Sequence, residues 1–167
     1  MTTQKTHLTA ARVLDELKKC GVTHIVWLPD SEAGFMYNAM MGQQEITLVP
    51  ICREGEAVSI AAGLLVGGKK PVVLHQNTGL FEAGDSVRGI ALDLKLPLLI
   101  LLGYRGWKGG APATDSAATY TEPILDTWGI KHYLIESDQD VAKISLAYKE
   151  AQKTNKPVAI LIGKEYR

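Results

Sequence analysis

The sequence predicts a doubly wound α/β fold, with a six-stranded, mostly parallel sheet covered by helices on both faces. Three observations carry this expectation. Hydrophobic periodicity switches repeatedly between the helical i, i+3, i+4, i+7 pattern and short continuous apolar runs. The runs are apolar on both faces, as strands buried under two helical layers must be. Each run is also separated from the next by a helical pattern, which is how parallel strands are connected, by right-handed crossovers.

Taken in order, Ala10, Val13, Leu14 and Leu17 make the first helical stripe. Thr9 is its expected N-cap, and Lys18, Lys19 and Gly21 are its stop signal. Residues 24–28 form a short apolar strand ended by Pro29. A helical pattern over 31–41 leads to a strand over 46–51. Glu54–Val66 is a helix stopped by Gly67 and Gly68, followed by a strand over 71–75 and a helix over 81–94. Residues 98–102 are the most continuous apolar strand, and a glycine-rich loop covers 103–113. A helix over 119–128, a strand at Lys131–Ile135, a helix over 138–154 and a strand at Val158–Ile162 complete the pattern.

At 167 residues the chain has the size of one domain, taken as 1–167, with enough length to bury a core. Lys and Arg total 18 and Asp and Glu total 18, so the formal net charge is zero, against a nucleic-acid-binding footprint. The 7% aromatic content also argues against a stacking platform for single strands. The polar start, Met1 to His7, has no apolar core of a signal peptide, and the strongest apolar run, 96–102, is interrupted by Pro97 and too short for a membrane span. Cys20 and Cys52 lie far apart without metal-ligand spacing. A reduced, cytoplasmic protein is expected.

Several familiar motifs fail. The segment 63–70, GLLVGGKK, approaches the phosphate loop GxxxxGK[ST], but ends on Lys70 and leads from helix into strand, the reverse of a phosphate loop. It reads as a helix stop. No GxGxxG follows the first strand, and there is no GxSxG.

In doubly wound folds, ligands sit beyond the carboxyl ends of the strands. The segments there are Pro29-Asp30-Ser31, Cys52-Arg53-Glu54, His75-Gln76-Asn77-Thr78-Gly79 and Gly103-Tyr104-Arg105-Gly106. Glu54 shares a helix face with Ala57, Val58 and Ala61, so it points with the buried side. Either it favours the helix N-terminus electrostatically, or it handles a proton, since burial favours the protonated acid. Glu56, on a less apolar face, is the second choice. His75 is either a structural hydrogen-bonder or a functional imidazole at a strand end. Asp30 and Ser31 are candidates for substrate contact or for capping the next helix. Asn77, Thr78 and Gly79 either contact a ligand or form a turn.

Four of these segments together resemble the pyrimidine-binding domain of thiamine-diphosphate enzymes over about residues 8–162. Arg53-Glu54-Gly55-Glu56 opens an alanine-rich helix with a glycine, Gly63, nine residues after Glu54, as in that family. Trp27-Leu28-Pro29-Asp30-Ser31 resembles the Val-Pro-Asp-Ser loop of phosphonopyruvate and sulfopyruvate decarboxylases. Leu74-His75-Gln76-Asn77-Thr78-Gly79-Leu80 is similar to their Gln-Asn-Ser-Gly-Leu motif, and Gly103-Tyr104-Arg105-Gly106 to their Gly-Trp/Tyr-Arg-Gly loop.

The resemblance implies a thiamine-diphosphate-dependent carboxy-lyase acting on a 2-oxo acid. It makes Glu54 the acid that bonds the cofactor's aminopyrimidine and promotes the tautomer that deprotonates the thiazolium C2. It places Pro29, Asn77, Thr78 and Gly79 against the cofactor, and Asp30, Ser31, His75 and Arg105 against the substrate. His75 resembles the strand-end histidine of benzoylformate decarboxylase, which implies proton transfer. Arg105 would grip an anionic tail, although Trp107 stands where that family has an acidic residue, which admits a more apolar oxo acid. The family's diphosphate signature, Gly-Asp-Gly with a later Asn, is missing: Gly84-Asp85-Ser86 lacks the second glycine. The resemblance is therefore to the α subunit of a split enzyme. A β subunit would hold Mg2+ and the diphosphate, in an α2β2 or larger assembly. The alternatives are a carboligase or C–C lyase subunit acting on an aromatic or apolar 2-oxo acid or aldehyde, or a catalytically silent assembly domain.

Overall fold

β4 (Leu99–Gly103) lies inside the sheet because its sequence, LILLG, has no polar side chain to keep in water. Around it stand β1 (His24–Trp27), β2 (Thr47–Pro50), β3 (Pro71–Gln76), β5 (Lys131–Ile135) and β6 (Val158–Ile162). The structure, a computed structural model, describes residues 7–163. The strands pair in the order β2-β1-β3-β4-β6-β5, every pair parallel. The edge strands carry the polar ends: Thr47 on β2 and Lys131 on β5 are exposed, which blunts further pairing.

Two apolar layers sandwich the sheet. On one face α1 (Ala10–Lys19), α2 (Tyr37–Met41) and α7 (Ala142–Thr154) bury Leu17, Met36, Met40, Ile144 and Ala147 against Ile25, Leu74, Leu101 and Ile160. On the other, α3 (Glu54–Val66), α4 (Asn77–Glu82), α5 (Gly84–Ser86), a π-helical turn at Val87–Leu92 and α6 (Ser116–Thr127) pack on Val26, Val73, Ile100 and Leu161. The chain leaves β1 for β2 on one side and leaves β3 for β4 on the other. The carboxyl ends of β1 and β3 therefore form the switch-point crevice where such sheets bind ligands.

The predicted sheet and crossovers are present, with differences where local and tertiary forces disagree. The 31–41 segment is not one helix: a 3-10 turn at Gly34–Met36 precedes α2, after Asp30 Oδ1 accepts the Ala33 amide at 2.7 Å in a tight turn. The helix expected from Phe81 starts at Asn77, directly out of β3, so Asn77, Thr78 and Gly79 are its first turn rather than a loop. α6 opens at Ser116, since Asp115 Oδ1 caps it through the Ala117 amide at 2.9 Å. Thr9 occupies the cap position of α1, but its hydroxyl bonds Asp138 instead. The last helix begins as a 3-10 turn at Asp138–Asp140, closed by a Ser137–Asp140 capping box.

The segment resembling a phosphate loop is a helix terminator. Lys69 N–H bonds Leu64 O at 2.9 Å and Gly68 N–H bonds Leu65 O at 3.0 Å, a Schellman arrangement around Gly68 at φ +74°. A Cβ at Gly68 meets no atom within 4 Å, so only backbone strain opposes one. Gly68→Ala is expected to lower the unfolding free energy by about 1 kcal/mol, the left-handed penalty of an L-residue, as read from urea unfolding.

Candidate functional site

The site grows from the β3-to-α4 junction. Gln76 is still extended when the chain turns into α4, and the first turn of that helix meets the neighbouring helix α3 at Gly79. Gly79 is buried, and a Cβ there would lie 2.4 Å from Glu54 Cγ, 3.0 Å from Glu54 Oε1 and 2.9 Å from His75 Nδ1. Glycine is thus required for Glu54 and His75 to flank one notch. Glu54 is half-buried, and its face-mates Ala57, Val58 and Ala61 are fully buried, as the helical spacing predicted. Glu56 is exposed.

A residue from α4 fixes where α3 begins. Arg53, the N-cap, makes no side-chain cap. Glu82 replaces it: Oε2 accepts the Gly55 amide at 2.7 Å, and Oε1 pairs with Arg53 Nε. These bonds, above all the one from Arg53, hold the Glu82 carboxyl below the usual range.

His75 is 1% exposed. Its Nδ1 bonds the carbonyl oxygen of Gln76 at 2.8 Å, so that nitrogen carries the hydrogen. Burial lowers its pKa, leaving a neutral ring whose Nε2 makes no hydrogen bond among the described residues. Gln76 Oε1 is buried and likewise without a partner there. These two buried acceptors suit a ligand that brings N–H or O–H donors.

Other expected contacts are occupied by the fold itself. Asp30 uses one oxygen on Ala33 N and the other on Gln76 N, at 2.8 Å, bracing β1 to β3 across the crevice. Pro29 and Ser31 beside it are exposed. Asn77 is fully buried, and its side chain is engaged by the fold. Its Nδ2 donates to Arg105 O at 3.1 Å and Thr121 Oγ1 at 3.0 Å, while Oδ1 accepts the Arg105 amide at 3.1 Å. With both donors spent, Asn77 ties the loop after β4 to α6. Thr78 is half-buried. Arg105 donates from Nε to Asp115 Oδ2 at 2.9 Å. Trp107 stacks on Tyr104, with centroids 5.1 Å apart and planes 6° apart, and donates to Glu136 Oε1 at 2.8 Å.

Three participants escaped the sequence reading, Glu32, Glu82 and Asp115, and Gln76 was named only within its motif. Asp115 left a signal, an Asp before Ser-Ala-Ala at a helix start. Glu32 packs its Cβ over Gly103, where a Cβ would approach to 2.4 Å. Among the described residues no group of three or more His, Cys, Asp or Glu side chains is placed to hold a metal ion, and no helix is long and apolar enough to cross a membrane. Gly84-Asp85-Ser86 is helical, with Asp85 exposed and paired to Arg88 at 2.6 Å.

Comparison with known proteins shows the family. The family described as "Thiamine pyrophosphate enzyme, N-terminal TPP binding domain" matches residues 8–109. The chain belongs to this family. It is 26% identical over 148 residues to the "Sulfopyruvate decarboxylase subunit alpha" of Methanococcus maripaludis, covering 87% of this chain and 89% of that one. It is 24% identical to the longer "Sulfopyruvate decarboxylase" of Methanosarcina acetivorans, covering 91% of this chain and 39% of that one. Benzoylformate decarboxylase from Polynucleobacter necessarius shares the fold, with a TM-score of 0.72 and 24% identity, over 92% of this chain and 29% of that one.

Two outcomes are expected. Gly79→Ala, by overfilling the notch, lowers stability by about 1–3 kcal/mol in urea unfolding. For His75 the folded pKa lies below its ordinary 6.5, so the unfolded chain takes the proton first. Its contribution is complete above 6.5 and is lost on acidification, at up to about 1.4 kcal/mol per pH unit. The stability profile of His75→Gln between about pH 7.5 and 5 should lack this component of the slope.

Proposed function

We propose that this chain is the α subunit of a split thiamine-diphosphate-dependent 2-oxo-acid decarboxylase, a single pyrimidine-binding domain over 1–167. The observation that carries the reading is Glu54 on a buried helix face, sharing the Gly79 notch with a neutral His75 whose Nε2 has no partner among the described residues. The names of the relatives favour decarboxylation over carboligation and over a silent role. The name "subunit alpha" and the longer single-chain relative support a partner that supplies the other half.

Bound thiamine diphosphate supplies the electron sink that lets a 2-oxo acid lose carbon dioxide. Glu54 holds the proton shared with the aminopyrimidine ring nitrogen. Gln76 Oε1 offers an acceptor to an N–H donor. His75, its Nδ1 hydrogen committed to the Gln76 carbonyl, presents the Nε2 lone pair to take up a proton on the substrate side. The β subunit holds Mg2+ and the diphosphate, in an α2β2 or larger cytoplasmic assembly. The helix-embedded Gly84-Asp85-Ser86 supports leaving that task to the partner.

The test uses the chain co-purified with its partner and loaded with cofactor. Glu54→Gln is expected to slow C2 proton exchange, followed by NMR, by about 100-fold or more. Glu56→Gln is expected to leave exchange near the wild-type rate. Normal exchange in Glu54→Gln overturns the role given to Glu54.

A further inference from the structure

α3 is held at its start by a group from another helix, and the bond falls on the peptide next to Glu54. Arginine has no acceptor atom, so Arg53 at the N-cap cannot bond the amides of the first turn through its side chain. Its carbonyl oxygen accepts the Glu56 amide at 3.1 Å. The Gly55 amide goes to Glu82 Oε2 at 2.7 Å, and Glu82 Oε1 takes Arg53 Nε. The Arg53 side chain is 74% exposed, and an ion pair in that setting contributes little. The bond from a backbone amide to a carboxylate is the stronger restraint of the two.

The Gly55 nitrogen and the Glu54 carbonyl share one planar peptide unit, attached directly to the Glu54 Cα. A bond that fixes this plane fixes the backbone from which the Glu54 side chain departs. Glu82 lies three residues after Gly79, on the same face of α4. That face meets two successive residues of α3. Gly79 lies against the Glu54 side chain, where a Cβ would come within 2.4 Å of Cγ, and Glu82 grips the Gly55 amide. The Ala83 amide bonds Gly79 O at 2.8 Å, so both contacts sit on one hydrogen-bonded turn.

We infer that Glu82 is a positioning residue for the reaction: by holding the Gly55 amide, it keeps the Glu54 carboxyl where it reaches the aminopyrimidine. The inference rests on the role proposed for Glu54 above and names the group that secures it. Glu82 acts through the backbone and exchanges no proton with the cofactor. An acid that shares a proton must stay within a hydrogen bond of the ring nitrogen, and a misplacement of about 1 Å can cost about 100-fold in rate.

The experiment uses the chain co-purified with its partner, at saturating thiamine diphosphate and Mg2+. C2 proton exchange is followed by NMR and cofactor affinity by calorimetry. Glu82→Ala is expected to slow exchange by about tenfold or more, while the cofactor Kd changes by less than about threefold. Glu82→Gln, whose amide oxygen still accepts the Gly55 N–H, is expected to exchange within about threefold of the wild type. A cap that only stabilises the helix would lower the melting temperature and leave exchange at saturating cofactor unchanged. Where Glu82→Ala does not assemble, Glu82→Asp carries the test. It keeps the charge but is one methylene too short for the Gly55 amide, and is expected to slow exchange by about threefold or more. Wild-type exchange in Glu82→Ala, or in Glu82→Asp where it stands in, together with slow exchange in Glu54→Gln, overturns this inference and leaves the role of Glu54 intact. So does a Glu82→Gln variant as slow as Glu82→Ala, since charge rather than the amide bond would then matter, and so does an affinity loss as large as the rate loss. Wild-type exchange in Glu54→Gln overturns the role given to Glu54, and this inference with it.

Discussion

The close approach of α3 and α4 at Gly79 is the constraint on which the site's geometry depends. A methyl group at that position would occupy the space of Glu54 Cγ and crowd the His75 ring. α4 also supplies Glu82, which sets where α3 begins by taking the Gly55 amide. The short helix therefore determines both the room beside Glu54 and the height of Glu54 along its own helix. α4 in turn is positioned by β3, whose last residue is still extended when the helix starts. The acid's place is thus inherited from the register of a central strand, not from a flexible loop.

Much of the fold was legible because its signals are local and agree with one another. Apolar runs at 98–102 and Val158–Ile162 become strands because both faces need cover, and Glu54–Val66 ends at its glycines as its composition requires. The start of α4 was not legible. Asn77, Thr78 and Gly79 resemble a turn by propensity, and only packing against α3 and α6 makes them helical. The failure of 31–41 to form one helix has a similar origin, since Asp30 spends its carboxylate on a tight turn and a cross-strand brace.

At the site, residue type was more legible than duty. Glu54 and His75 were identifiable from spacing and strand-end position, and the structure places both at one notch. Asn77 and Asp30 have the same polar character, yet their side chains are consumed by backbone groups and, for Asn77, by the Thr121 hydroxyl as well. No sequence pattern reports whether an amide is already satisfied. Glu32 and Asp115 were missed for the converse reason. Their importance lies in proximity across loops far apart in the chain.

His75 Nε2 and Gln76 Oε1, without a partner among the described residues, bear on the stability of the chain as well as on binding. Each buried polar atom without a partner costs about 1–3 kcal/mol, a large share of the stability of a domain this size. A bound ligand that bonds them returns this energy and raises the apparent stability by mass action. A copy without such a ligand keeps the full deficit and opens more often at β3. Proteolytic turnover, which tracks the open population, would then clear unliganded copies first. The same two atoms would thereby tie the abundance of this chain to the supply of whatever ligand bonds them.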